Sequence, residues 1–245
     1  MILQRIADLF FPRVCLCCGK DLEPDEKHLC AGCMKDLPLT RYWKLRNNPM
    51  SDSFNALIQR QMGSDIQYTP YGYAAALFFY RGGFRAITKA LKYKRNFAAG
   101  VFFAKLLGKA LSESDLFRDV DLVVPIPLHW TRRWRRGYNQ AETIAREVAA
   151  QLGVPCKTDL LRRVRHTKTQ TRLDSERRAS NVSGAFRINK SPVWTGAEGK
   201  PPEGPKHILL IDDVFTTGAT AAACESALRN MGRRVSIATL ACVEH

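Results

Sequence analysis

Residues 207–220 read His207-Ile-Leu-Leu-Ile-Asp-Asp-Val-Phe-Thr-Thr-Gly-Ala-Thr220, and this stretch decides the fold. The apolar run at 208–211 is short and bounded by β-branched isoleucines, which is typical of a parallel strand buried on both faces. Asp212 and Asp213 follow at the carboxyl end of that strand, the edge where open α/β sheets bind ligands. The stretch therefore predicts an α/β fold, with a parallel sheet flanked by helices and a polar site at the sheet edge.

The turn after the two acids offers the groups that a phosphate needs. It supplies backbone N–H groups, hydroxyls and a helix N-terminus, which together hold a dianionic phosphate, and Gly218 lets the main chain approach closely. Carboxylates can bind the ribose hydroxyls of a ligand, and adjacent backbone amides can bind its 5′-phosphate. This combination suits a sugar phosphate such as phosphoribosyl pyrophosphate. The candidate site residues of this stretch are Asp212, Asp213, Val214, Phe215, Thr216, Thr217, Gly218, Ala219 and Thr220.

Two other interpretations of the same stretch explain less. A buried strand with a threonine-rich N-cap leaves two adjacent carboxylates without a role. A Walker B strand of a nucleoside triphosphatase requires Gly-x-x-x-x-Gly-Lys-Ser/Thr upstream, and the sequence contains neither that loop nor a Gly-x-Gly-x-x-Gly motif. The sugar-phosphate interpretation is therefore preferred.

The composition favours polyanionic partners. The 245 residues include 38 Lys and Arg against 23 Asp and Glu, a formal charge of +15, which suits pyrophosphate, nucleic acid or an acidic protein. The apolar runs are too short to span a membrane, and Arg5 and Asp8 interrupt the N-terminal apolar stretch, which we expect to form an amphipathic helix. We expect a cytoplasmic protein without membrane insertion.

Five of the eight cysteines precede residue 35, and four of them form two Cys-x-x-Cys pairs. Such paired knuckles close a tetrahedral four-thiolate zinc site with no open position, so the zinc should be structural. We predict that the ligands are Cys15, Cys18, Cys30 and Cys33. Cys17 and His28 are alternative ligands that the spacing alone leaves open.

Alternating strand and helix patterns predict the rest of the architecture. Strands are expected at 73–80 and 121–127, and helices at 84–93, 98–111 and 139–152. The polar, proline-containing segment 43–52 is predicted to be a hinge. We therefore divide the chain into an N-terminal helix and zinc knuckle at 1–45 and a main domain at 46–245.

Two basic segments are expected near the site, and the first of them lies at the carboxyl end of a strand. The first carries aromatic side chains between arginines, and it could clamp a pyrophosphate, or stack bases and follow the backbone of single-stranded DNA, or be an exposed loop. Its candidate residues are Arg132, Arg133, Trp134, Arg135 and Arg136. The second, residues 160–172, is predicted to be a mobile cover from which Arg163, Lys168 and Gln170 reach over a bound ligand. For the basic rim of helix 84–93, which includes Lys89 and Lys92, a solvated face and a role in ligand binding are equally good explanations.

Taken in order, these segments resemble the ComF family, the competence-associated, phosphoribosyltransferase-like proteins of bacteria. The resemblance rests on the cysteine pairs, Pro125-Ile-Pro127, Arg136-Gly-Tyr-Asn-Gln-Ala141, Arg163 with Thr167-x-x-Gln170, and Ile211-Asp-Asp-Val-Phe-Thr-Thr-Gly-Ala-Thr220. It implies the type I phosphoribosyltransferase fold, with Asp212 and Asp213 as the catalytic pair on the ribose hydroxyls, residues 216–220 on the 5′-phosphate, and Mg²⁺ bridging pyrophosphate and ribose oxygens. It also implies a role in the uptake of single-stranded DNA, beside a helicase-like competence partner.

Two functions remain in competition at this point. A transferase would release pyrophosphate from phosphoribosyl pyrophosphate to an acceptor that the sequence does not identify. A binding module of the competence machinery would use the same site to sense a ligand while its basic segments hold DNA. A glutamine-dependent amidotransferase is not expected, because the start Met1-Ile-Leu offers no N-terminal cysteine nucleophile.

Overall fold

The structure is a computed structural model that describes residues 13–62, 70–93, 96–128, 139–164, 184–189, 205–229 and 234–244. The strands are β1 (Ala74–Phe79), β2 (Leu122–Pro125), β3 (Leu161–Arg163), β4 (Phe186–Ile188), β5 (His207–Phe215) and β6 (Arg234–Cys242). The helices are α1 (Ala31–Lys35), α2 (Pro49–Met62), α3 (Arg85–Tyr93), α4 (Phe97–Ser112), α5 (Gln140–Leu152) and α6 (Ala219–Arg229). Each strand and helix predicted between residues 73 and 152 is confirmed, with ends that move by two residues at most. The predicted N-terminal amphipathic helix lies outside the described residues.

Four parallel strands form the central sheet in the order β1, β6, β5, β2, and β3 pairs with β4 as a small antiparallel sheet. Helices α4 and α5 cover one face of the central sheet, while α2 and α6 cover the other. This double covering explains why residues 208–211 of β5 have no solvent exposure. The predicted parallel sheet flanked by helices is therefore confirmed.

One difference from the sequence prediction shapes the ligand site. We expected β5 to end at Ile211, but it continues through both acids to Phe215 because β6 continues beside it, pairing Asp212 with Thr239 and Val214 with Ala241. On its other side, β2 stops at Pro125, which pairs with Ile211. The last four residues of β5 therefore border a crevice where a neighbouring strand has ended.

The predicted hinge at 43–52 is wrong, because this segment and the one before it pack on the sheet. Residues 38–40 run antiparallel to β1, where Phe79 N donates to Pro38 O over 2.8 Å and Thr40 N donates to Leu77 O over 3.2 Å. Trp43 is buried, and Asn48 caps α2 while its amide donates to the backbone of β1. The segment thus covers a sheet edge that would otherwise expose unpaired backbone groups. The division into residues 1–45 and 46–245 stays a prediction.

A polar network around the buried side chains of His207 and Ser236 lies at the amino end of the sheet. His207 Nδ1 is 2.7 Å from Asp119 Oδ1, and Nε2 is 2.7 Å from Ser236 Oγ, which also accepts a hydrogen bond from Tyr73 N over 2.9 Å. Ser236 can then donate to Nε2, so we assign the single proton of a neutral ring to Nδ1. Burial lowers the pKa of His207, although the hydrogen bond with Asp119 acts to raise it.

This network should make stability depend on pH. The lowered pKa means that the unfolded state binds more protons, so unfolding free energy should fall as pH drops below about 6.5, the ordinary histidine value. Denaturant titrations between pH 5 and pH 8 should show a steeper decline for wild type than for His207→Gln. Titrations of groups that do not contact His207 are common to both proteins and cancel in that difference. Equal pH profiles would contradict a neutral His207 in the folded state.

Candidate functional site

The four predicted cysteine ligands converge in the N-terminal part of the structure. The sulfur atoms of Cys15, Cys18, Cys30 and Cys33 all lie within 4.8 Å of one another, and Cys18 Sγ is 3.8 Å from Cys30 Sγ. A tetrahedral ion with metal–sulfur bonds of about 2.3 Å separates its sulfur ligands by about 3.8 Å. The cluster is therefore compatible with a structural zinc ion.

The backbone around the cysteines holds this arrangement. Cys33 N lies 3.5 Å from Cys30 Sγ, and Gly19, with a φ of 75°, closes its turn by donating to Cys15 O over 2.9 Å. Burial acts to raise the pKa of the Cys15 thiol, but hydrogen bonds from the backbone of the cluster outweigh it and lower that pKa to about 6. A thiolate, the form that binds zinc, is thus favoured at that position.

Neither alternative ligand is one of the four clustered residues, although the Cys17 side chain hydrogen-bonds with that of Cys33. Cys17 is half-buried and lies against Gly83, where an added Cβ would be 2.8 Å from its Sγ. The His28 ring packs against Phe102 of α4, with ring centroids 5.3 Å apart. These contacts also attach the cysteine lobe to the face of the main domain that α4 covers.

The loop between β5 and α6 forms a small cavity of about 30 Å³. Gly218 has a φ of 76°, and an added Cβ would lie 2.6 Å from Phe215 Cζ and 3.1 Å from Leu57 Cδ1. Helix α6 begins at the next residue, so its free backbone N–H groups face the cavity end of the loop. The lining residues are Asp212, Val214, Phe215, Thr216, Gly218, Ala219, Thr220, Ala221, Ile237 and Thr239. Of the predicted loop residues only Thr217 is outside this lining.

Gly218→Ala should destabilise the protein more than the positive φ at this position does alone. A positive φ costs a non-glycine residue roughly 1 kcal/mol, and the close approach to Phe215 adds a displacement of the loop. The matched control is Gly153→Ala, whose φ is 69° but whose added Cβ would meet nothing within 4 Å. Thermal unfolding and calorimetry with ribose 5-phosphate should show a larger stability loss for Gly218→Ala and weaker phosphate binding in that variant alone. Equal behaviour of the two variants would contradict the expectation.

Asp212 and Asp213 lie half-buried at the open end of β5. Asp212 Oδ1 accepts a hydrogen bond from Asp213 N over 2.8 Å, and Asp213 Oδ2 is 3.0 Å from Lys92 Nζ on α3. Burial, followed by the adjacent charge of Asp213, raises the pKa of Asp212 to about 7. Two neighbouring carboxylates are thus held at the sheet edge with little solvent to screen them.

A cleft of about 120 Å³ opens beside the two acids, on the side where β2 has ended. It brings together residues from five parts of the chain, and Arg163 of β3 is among them. The lining residues are Lys92, Ile126, Pro127, Leu128, Asn139, Gln140, Ala141, Arg163, Asp212, Asp213 and Thr220. The cleft therefore combines two carboxylates, two cationic side chains and the N-terminus of α5.

Several predicted site residues lie outside the described residues, so their placement stays a prediction. They are Arg132, Arg133, Trp134, Arg135, Arg136, Lys168 and Gln170. The sequence interpretation left one contribution to the cleft open and missed another. Lys92 belongs to a run of cations for which a solvated face and a ligand role are equally good explanations. The sequence around Asn139 and Gln140 indicates only the start of a helix. Asn139 does cap α5, but its Nδ2 also donates to Ile126 O over 3.2 Å, joining the helix start to the cleft wall.

The fold and the site define a class, namely an α/β protein with an acid and threonine-rich site at the carboxyl edge of its sheet and a four-cysteine lobe. No family model matches the chain. It is 26% identical over 230 residues to Competence protein F of Haemophilus influenzae, covering 91% of this chain and 93% of that protein. It is 29% identical to Competence protein ComFC of Streptococcus pneumoniae, covering 65% and 63% of the two chains. DNA utilization protein YhgH of Salmonella typhi is 35% identical, over 48% of this chain and 47% of that one.

These relatives support the resemblance to the ComF family that the sequence motifs indicated. Among solved structures, orotate phosphoribosyltransferase from Aeropyrum pernix has 19% sequence identity and a TM-score of 0.31, covering 63% of this chain and 62% of that one. Within the described ranges, no helix is long and apolar enough to cross a membrane.

Proposed function

We propose that this protein binds phosphoribosyl pyrophosphate at the carboxyl edge of its sheet and acts in DNA uptake during natural transformation. The observation that carries the proposal is the placement of Asp212 and Asp213 directly before a loop that combines Gly218 with a helix N-terminus. The acids accept hydrogen bonds from the ribose hydroxyls, and the loop donates backbone hydrogen bonds to the 5′-phosphate. The names of the competence and DNA utilization relatives support the role in DNA uptake.

The pyrophosphate group belongs, in this proposal, to the 120 Å³ cleft next to the acids. Arg163 and the N-terminus of α5 offer positive charge and N–H donors, and the residues at 129–138, with Lys168 and Gln170, are candidates to complete the set. Mg²⁺ would arrive with the pyrophosphate, whose oxygens suit that hard cation better than any nitrogen or sulfur ligand. When bound it would neutralise charge on the leaving group.

Binding and turnover are separated by one pair of measurements. Calorimetry with phosphoribosyl pyrophosphate and Mg²⁺ tests the site itself, and absence of binding would refute the proposal. Release of pyrophosphate in the presence of candidate acceptors would favour the second candidate function, an active phosphoribosyl transferase in nucleotide or cofactor metabolism. The observation that favours this second candidate is the presence of two cationic side chains, Lys92 and Arg163, in the cleft.

Single-stranded DNA is the proposed polymeric partner, with a helicase-like competence protein acting on the same strand in the cytoplasm. Salt dependence is measured as the slope of the logarithm of the DNA-binding constant against the logarithm of the salt concentration. Neutralising Arg132, Arg133, Arg135 and Arg136 together should make this slope shallower by about 3, at ~0.7 for each DNA phosphate that these arginines no longer neutralise. Fluorescence anisotropy with a labelled oligonucleotide at several salt concentrations measures this slope.

Trp134→Ala is the matched comparison within the same segment. Losing a stacking platform costs on the order of 1 to 3 kcal/mol per base at every salt concentration, so affinity should fall while the slope stays unchanged. If the four-arginine variant binds single strands as well as wild type, the segment does not hold DNA, and its arginines remain candidates for pyrophosphate.

A further inference from the structure

Lys92 is placed differently from the other cations of α3. Lys89, one turn earlier, is exposed, whereas the Lys92 side chain is 23% exposed and reaches the cleft to meet an Asp213 side chain that is 13% exposed. The Nζ to Oδ2 distance of 3.0 Å is that of a charge-assisted hydrogen bond. An ion pair with this much burial is screened less by salt than a surface pair. Lys92 is therefore part of the site and not of a solvated rim.

This ion pair uses a carboxylate that the ligand also needs. In the proposed function, Asp213 accepts a ribose hydroxyl, while in the structure one of its oxygens is taken by Lys92. The same cleft contains the space assigned to pyrophosphate, and Lys92 lines it. An ammonium group on a flexible four-carbon stem can exchange one oxygen partner for another within such a space.

We propose that Lys92 is an exchangeable counter-ion, which pairs with Asp213 in the ligand-free site and transfers to a pyrophosphate oxygen when the ribose diol takes its place. This inference rests on the proposed function and adds a residue that distinguishes a pyrophosphate-bearing sugar phosphate from a simple one. Phosphoribosyl pyrophosphate displaces Lys92 and gives it a new partner. Ribose 5-phosphate displaces it and gives it none.

The two ligands should therefore respond in different ways to loss of the ammonium group. Lys92→Met keeps most of the aliphatic stem and removes the charge. Its affinity for phosphoribosyl pyrophosphate with Mg²⁺ should fall about 10- to 100-fold, the effect of one hydrogen bond between charged groups. Its affinity for ribose 5-phosphate should stay the same or rise, because the diol no longer competes with an ammonium group for Asp213.

Calorimetry with both ligands on the full chain tests this, with Lys89→Met as the control from the same helix and thermal unfolding as the check on folding. The control should bind both ligands within about twofold of wild type, since it removes an equal charge outside the cleft. Lys92→Gln provides a second variant with a polar side chain should Lys92→Met fail to fold. Equal losses for the two ligands, or no loss for phosphoribosyl pyrophosphate, would overturn the inference. A wild-type protein that binds neither ligand would instead refute the proposed function itself, and with it this inference.

Discussion

Replacing Asp212 and Asp213 together with asparagine should abolish measurable binding of phosphoribosyl pyrophosphate. Each carboxylate is expected to accept a hydrogen bond from a ribose hydroxyl in a partly dehydrated site, and a bond to a charged group contributes roughly 1.5 to 3 kcal/mol. Losing two of them weakens binding by about 10² to 10⁴-fold. An asparagine side chain has nearly the same shape, so the change removes charge without opening a cavity. Calorimetry in the presence of Mg²⁺ measures the loss.

The loss of binding should occur without loss of the fold. Burial and the charge of Asp213 raise the pKa of Asp212 from the ordinary value of about 4 to about 7, so its ionised form costs stability, and that cost builds up as pH rises from about 4 to about 7. Asp212→Asn removes the cost, and the variant should unfold at a temperature equal to or above that of wild type at pH 8. Asp115→Asn, an exposed carboxylate paired with Arg118, is the control and should leave binding unchanged. Wild-type affinity in the double variant would mean that the sheet edge does not bind the ribose.

The sequence predicts the centre of this fold well because the centre is governed by local patterns. An apolar run bounded by isoleucines specifies β5, and the cysteine spacing specifies the sulfur cluster whatever the rest of the chain does. The same local reasoning fails where partners distant in sequence decide the outcome. The extension of β5 to Phe215 depends on pairing with β6, and the polar segment at 43–52 is ordered because Asn48 and Trp43 find partners on β1 and beyond.

The role of Lys92 in the site is also decided by packing between residues that are distant in sequence. A helix with several cations presents most of them to solvent, and the sequence does not say which one faces the sheet. Only the packing of α3 beside the end of β5 separates Lys92 from Lys89. Pattern analysis also does not detect the network of His207, Asp119 and Ser236, since any two of its members are 29 to 117 residues apart in sequence.

Cys30→Ser should cause a large loss of stability. We propose that the four thiolates hold one zinc ion per chain, and removing one ligand from such a site forfeits most of a binding energy that reaches roughly 10 to 16 kcal/mol in zinc-finger peptides. Part of the lobe is also held by the pairing of residues 38–40 with β1, so we expect a smaller loss here, at least about 4 kcal/mol of unfolding free energy. Native mass spectrometry should detect one zinc in wild type, and thermal unfolding with and without chelator should show the loss.

Cys17→Ser is the matched control, because it changes a thiol to a hydroxyl next to the ligand Cys18 at a residue that is not one of the four clustered cysteines. This variant should retain its zinc and unfold within a few degrees of wild type. Because His28 and Cys17 pack against Phe102 and Gly83, collapse of the lobe should reach α4 and the end of β1 and should lower solubility. The ligand cleft uses other elements, so any folded fraction of Cys30→Ser should still bind phosphoribosyl pyrophosphate. A metal-free wild-type protein that folds normally would contradict the zinc proposal. Zinc loss in Cys17→Ser would show that Cys17 is a ligand and that the proposed set of four cysteines is wrong.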